Sequence, residues 1–235
     1  MKILLLSGLF FFSSCSLLPT ALPEKMPDDF FVYYHLSGGM LDYSEDFKLS
    51  IKEGLYQVSE GGKMSRIDFT LSIQELQKIY QSFYQNSFDR IGTSTQEVYD
   101  RGGVSISLQA EGESYFVSNS GIYFVSSFSK DDWYRIVSMF HEKIRNLKRT
   151  KGLKVEFVLD DSIKNLKGFY FGLGTDPFAE KVGLDSYVFY ILKGVVRFYL
   201  YFEGIGGIFQ KNLNIQKDSR FRVLYQKGSV FIEPF

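Results

Sequence analysis

The chain has 235 residues, of which 45% are hydrophobic, with 27 basic and 27 acidic side chains that cancel. This balance excludes a disordered chain. It also leaves no net field to draw nucleic acid, so none is expected as a partner. The length suits one large or two modest domains, and a single cysteine leaves no partner for an internal disulfide.

The amino terminus opens Met1-Lys2, runs apolar from Ile3 to Phe12, then turns small at Ser13-Ser14-Cys15. One charge, a short apolar run and small residues form the three-part pattern of a secretory signal. The run is shorter than the roughly 20 residues a spanning helix needs, and charges interrupt every later apolar stretch. Phe12-Ser13-Ser14-Cys15 resembles the lipobox of bacterial lipoproteins, with Phe12 where leucine is usual and Ser14 where glycine or alanine is commoner. The resemblance implies cleavage after residue 14 and a diacylglycerol on Cys15, with acylation of the new amino terminus. That means a membrane partner through lipid, since two or three acyl chains suffice for stable anchoring. Ser16, in place of a retaining aspartate, implies delivery to the outer membrane where that sorting rule operates. Residues 15–28, spaced by Pro19, Pro23 and Pro27, are expected to form an extended tether.

The body begins near residue 29. Phe30–Leu36 reads as a strand ending at Gly38-Gly39, and Phe47, Leu49 and Ile51 alternate with polar residues as a half-buried strand. Leu55–Val58 follows, then a Gly61-Gly62 turn, then alternation at Ile67, Phe69 and Leu71. Close spacing favours an antiparallel meander. Ser72 with Glu75 has the spacing of a capping box, and Ile73, Leu76, Ile79, Tyr80 and Phe83 predict a helix over 73–85. Residues 86–101 read as irregular. Val104, Ile106 and Leu108 form a strand that returns through Glu111-Gly112 to Tyr115 and Val117. Ser129 is a predicted N-cap, with Asp131 and Asp132 in the first turn. Trp133, Ile136, Val137, Phe140, Ile144 and Leu147 then trace one helical face. Residues 30–85 are similar to small lipoprotein domains of unknown function, a resemblance that brings no site residues.

Beyond Lys151-Gly152 the pattern turns mostly β. Val155, Phe157 and Leu159 alternate, 187–192 and 195–203 read as strands joined at Lys193-Gly194, and a last hairpin turns at Lys227-Gly228. The Gly204 to Gly207 run reads as a turn, and a short helix is expected at 177–182. The expected fold class is α+β: an antiparallel sheet with two helices over 29–150, then a mostly β part over 151–235. A single sheet running across residue 150 is the alternative.

Chemical signatures are sparse. The two histidines, His35 and His141, belong to no ligand pattern, so no metal or cofactor is expected. No G-x-S-x-G turn occurs. Asp160-Asp161 and the loop acids Asp42, Glu45 and Asp46 are the paired carboxylates a glycan hydrolase would use, and also what solvated turns contain. The basic run Lys143, Arg145, Lys148, Arg149, Lys151 and Lys154 is either a helix C-terminus complementing its dipole or a patch touching anionic headgroups or an envelope polymer. The expected function is a membrane-anchored envelope lipoprotein, not an enzyme, with a binding or structural role toward a protein or polymer partner. Two alternatives stand beside it: a lipid-anchored envelope hydrolase, which requires a histidine held by a carboxylate in a cleft, and a carrier of apolar cargo in envelope assembly.

Overall fold

The computed structural model describes residues 20–40, 42–164, 169–173, 180–182, 185–202 and 208–235. Cys15 and the signal segment lie outside the described residues, as does the turn expected at Gly204 to Gly207.

The fold is α+β with mostly β character. Six strands form one antiparallel sheet: β1 (Phe31–Ser37), β2 (Tyr43–Ser50), β3 (Gly54–Glu60), β4 (Lys63–Phe69), β6 (Gly103–Ala110) and β7 (Glu113–Asn119), in the order β4-β3-β2-β1-β6-β7. Between β4 and β6 come α1 (Ile73–Gln85) and the short β5 (Thr93–Thr95). After β7 come β8 (Tyr123–Val125), which pairs with β5, and α2 (Lys130–Lys151). The turns at Gly61-Gly62 and Glu111-Gly112 hold both central residues at positive φ, the geometry whose twist matches a two-residue hairpin.

Alternation decides which side chains face the helices. Val32, Tyr34, Phe47, Leu49, Tyr56, Ile106 and Leu108 are buried on one face. They meet Leu76, Ile79, Tyr80 and Phe83 of α1 and Trp133, Ile136, Phe140 and Ile144 of α2 in one core. The opposite face, with Tyr33, His35, Asp46 and Lys48, carries no helix among the described residues. In α1 the capping box is complete: Ser72 Oγ accepts from the Glu75 amide, and the Glu75 carboxylate accepts from the Ser72 amide. Ser129 stands at the predicted N-cap position of α2, without the expected side-chain bond. Its side chain caps nothing in α2, because a short 3₁₀ turn, Ser127–Ser129, leads directly into the helix and its hydroxyl meets the Ser126 hydroxyl instead.

The second part has two sheets face to face. One orders β11 (Glu180–Val182), β12 (Ser186–Ile191), β9 (Leu153–Leu159), β15 (Ser219–Gln226) and β16 (Ser229–Pro234); the other orders β10 (Phe169–Leu173), β13 (Gly194–Phe202) and β14 (Ile208–Ile215). Val155, Phe157, Phe189, Phe198, Leu213 and Val223 from both sheets share a core distinct from the first. One pairing is parallel, β9 with β15. A single helical turn, α3 (Asp161–Lys164), follows β9. The helix expected at 177–182 is corrected in part: Glu180–Val182 is a strand paired with β12, and 177–179 lie outside the described residues.

Gly152 joins the two parts. A Cβ there would stand 2.4 Å from the Lys148 carbonyl oxygen and 2.8 Å from that of Ile191, so its absence lets the end of α2 close onto β12. Leu192 leaves the second part to pack in the first core, and Ser65 Oγ donates to the Lys193 carbonyl at 2.7 Å.

Candidate functional site

The helices leave one corner of the six-stranded sheet uncovered, where β2 begins, β3 ends and β4 begins. Tyr43 pairs with Glu60 and Glu60 with Lys63 at that corner. The β12–β13 hairpin closes over it from the second part. Between them lies a cavity of about 710 Å³, within the usual range of small-molecule sites at domain junctions. Its apolar wall includes Leu173, Ile191 and Leu192, which are buried, and Val58, Ile67, Leu153 and Val196, which are half-buried. Five cationic side chains line it, Lys63, Arg66, Lys148, Lys151 and Lys193, against one acid, Glu60. Burial pushes the Glu60 carboxyl up, and nearby Arg197 opposes that shift.

These cations are not equivalent. Lys148 points inward, its Nζ 3.7 Å from Glu45 Oε1 and over the Tyr56 ring. Tyr43 and Tyr56 both donate to Glu45, the latter at 2.7 Å. Lys151 Nζ donates to the Asp68 carbonyl at 3.2 Å, and Arg66 pairs with Asp68 at 3.3 Å. Lys63 and Lys193 are exposed, with no carboxylate partner among the described residues.

The predicted basic run is therefore divided. Lys148 and Lys151 belong to the cavity, Lys143 lies 3.9 Å from Glu75, Arg149 lies over the Tyr190 ring, and Arg145 and Lys154 are exposed. Lys148 is only 13% exposed at its side chain, which removes it from any flat headgroup-facing patch. The acids expected in a loop are also reassigned. Glu45 and Asp46 are consecutive residues of β2, so they point to opposite faces. Glu45 is buried under α2, and Asp46 lies on the open face.

On that open face Asp46 Oδ1 lies 2.7 Å from His35 Nδ1 and accepts the Tyr33 hydroxyl at 2.6 Å. Burial, reinforced by that carboxylate, pushes the Tyr33 phenol up, and Lys48 lies over its ring. His35 and Asp46 do not line the cavity, and among the described residues no other hydroxyl is bonded to either. His141 Nε2 meets the Tyr34 hydroxyl at 3.1 Å, and desolvation lowers its pKa. Asp160 holds the start of α3 through the Ser162 amide and hydroxyl and accepts from Arg222. These bonds lower its pKa to about 2. Asp161 pairs with Lys164. Both acids are thus held in local structure rather than facing each other across a cleft. Among the described residues no three His, Cys, Asp or Glu side chains gather to hold a metal, and no helix is long and apolar enough to cross a membrane.

The segment expected to be a free tether is docked from residue 20 onward. Leu22 is buried in the first core, the Tyr80 hydroxyl donates to the Pro23 carbonyl at 2.6 Å, and Gln81 donates to the Glu24 carbonyl at 2.9 Å. The Asp29 carboxylate accepts the Glu111 and Gly112 amides at 2.8 and 2.6 Å. Pro23 and Pro27 bar this stretch from helix, and a non-helical chain can lie along α1 as readily as reach into solvent.

No protein-family model matches this chain, and a search of the curated proteins returned no match.

Proposed function

We propose that this protein is a lipid-anchored envelope protein with a non-catalytic role, binding a ligand in the cavity between its two parts at the outer membrane. The cavity is the observation that supports this reading most directly: it combines a partly covered apolar wall with cations that have no carboxylate partner among the described residues. The lipobox at Cys15 supports the anchor. The docked segment from Leu22 to Asp29 then leaves only a short leash. Seven extended residues reach about 25 Å at most, so the folded body stays near the membrane. The hydrolase reading has the His35–Asp46 contact in its favour but lacks a cleft around it.

Native mass spectrometry of the full chain, released gently from its own membranes, tests the binding role. The wild type is expected to retain a bound small molecule. Val58→Trp and Val196→Trp fill the cavity from opposite walls, and each is expected to lose it while keeping the wild-type circular dichroism spectrum. Absence of any bound mass on the wild type, or its retention in both variants, contradicts the reading.

A further inference from the structure

The placement of charge around the cavity narrows the class of ligand. Alternation along β4 sends Lys63, Ser65 and Ile67 to the cavity side of the sheet, beside Val58 and Glu60 of β3. Lys193 approaches from the other part, held at its backbone by Ser65. Lys63, Lys151 and Lys193 have no carboxylate partner among the described residues, and of these Lys63 and Lys193 come from the two walls and, unlike Lys151, have no side-chain hydrogen bond among the described residues either. On the same cavity Val58, Ile67, Leu153 and Val196 are half-buried, the first two packed against the first core and the last two against the second. Apolar side chains left in this state gain by burial, at about 25 cal/mol per Å² covered. Lys63 and Lys193 line the same cavity while staying exposed, so both amines are accessible to an anion seated there. Lys148 is already engaged by the Glu45 carboxylate, whereas Lys151 meets only the Asp68 carbonyl and adds its positive charge to the same rim.

Resting on the binding role proposed above, we infer that the cavity takes a single-chain anionic amphiphile of the fatty-acid type. Its acidic head sits between Lys63 and Lys193, and its chain lies on Val58, Ile67, Leu153 and Val196. A purely apolar cargo would leave both lysines without a counter-charge. A small free anion would leave the apolar wall wet.

The test uses the full chain in phosphatidylcholine nanodiscs. Palmitate and hexadecanol, each carrying a diazirine, are photolysed with the protein, and the labelled peptides are mapped by mass spectrometry. Palmitate is expected to label residues 58–67 and 191–196 at least tenfold more than the alcohol does. Lys63→Gln/Lys193→Gln is expected to lose at least tenfold of that labelling with its melting temperature unchanged. Excess inorganic phosphate is expected to leave the labelling in place. Equal labelling by the alcohol, or full labelling of the double variant, overturns the anionic head while the binding role stands. Loss of labelling to phosphate overturns the amphiphile in favour of a free anion. No cavity labelling by either probe, on a protein whose bound mass Val58→Trp also fails to change, removes the binding role itself.

Discussion

Glu45 and Lys148 show how one carboxylate and one amine can set the character of a corner of the core. Glu45 is 7% exposed, and its oxygens are shared by Tyr43, Tyr56 and Lys148. Removing one partner of such a pair strands the other charge, which costs about 3–5 kcal/mol, whereas replacing both by neutral groups is far less harmful. Lys148→Met is therefore expected to destabilise strongly in urea titration, and Glu45→Gln/Lys148→Met to recover most of that loss. Additive losses would contradict the pairing. His141 gives a pH signature of opposite origin. Desolvation lowers its pKa below the ordinary 6.5, with Arg145 and Lys148 adding to the shift and Glu45 opposing it. Between its folded pKa and 6.5 the unfolded chain binds a proton that the native state does not. Its contribution to stability is thus complete above 6.5 and lost as pH falls through the folded value. His141→Gln is expected to flatten the stability difference between pH 7 and 5 relative to wild type, measured by denaturant unfolding at each pH. An unchanged slope would contradict it. Both residues were legible in part. Lys148 stands four positions after Ile144 and so continues the apolar stripe of α2, while Glu45 shares parity with Phe47 and Leu49. Charge obscured what spacing indicated.

Helix α1 runs over the residues its spacing predicts, because an intact capping box and a single apolar face act without help from distant chain. The strands with clean alternation were equally readable. Strand β14 was not: Lys211 stands on the same parity as Phe209, Leu213 and Ile215 and breaks the pattern. It is accommodated because its amine reaches the Ile232 carbonyl at 3.3 Å. The parallel pairing of β9 with β15 depends on segments about 60 residues apart meeting across a crossover, which no local pattern encodes. The docked amino-terminal segment is another such case. Its hold on the body rests on buried Leu22, the two amides on Asp29 and single bonds from Tyr80 and Gln81, so Asp29→Ala is expected to speed amide exchange at Glu111 and Gly112 and to make the stretch next to Asp29 more open to limited proteolysis, while α1 keeps its protection. Unchanged exchange at both amides would show that the carboxylate does not hold the turn.

Taken whole, the molecule joins two cores across a narrow seam at Gly152, and the cavity exists because neither core covers the corner between them. Residues 58–67 and 191–196 are far apart in sequence, so no motif announces the site; only the fold assembles it. The proposed anchor, by contrast, rests on the first residues alone. On the function proposed here, lipid on Cys15 and the docked Leu22–Asp29 segment keep the body within a short reach of a membrane, with the seam facing a ligand. The most direct test of that account is the intact mass and detergent partitioning of the native protein beside Cys15→Ala. The account predicts that the wild type lacks residues 1–14, carries acyl mass and enters the detergent phase, while the variant does neither of the last two. A wild type that stays aqueous without acyl mass would contradict the anchor.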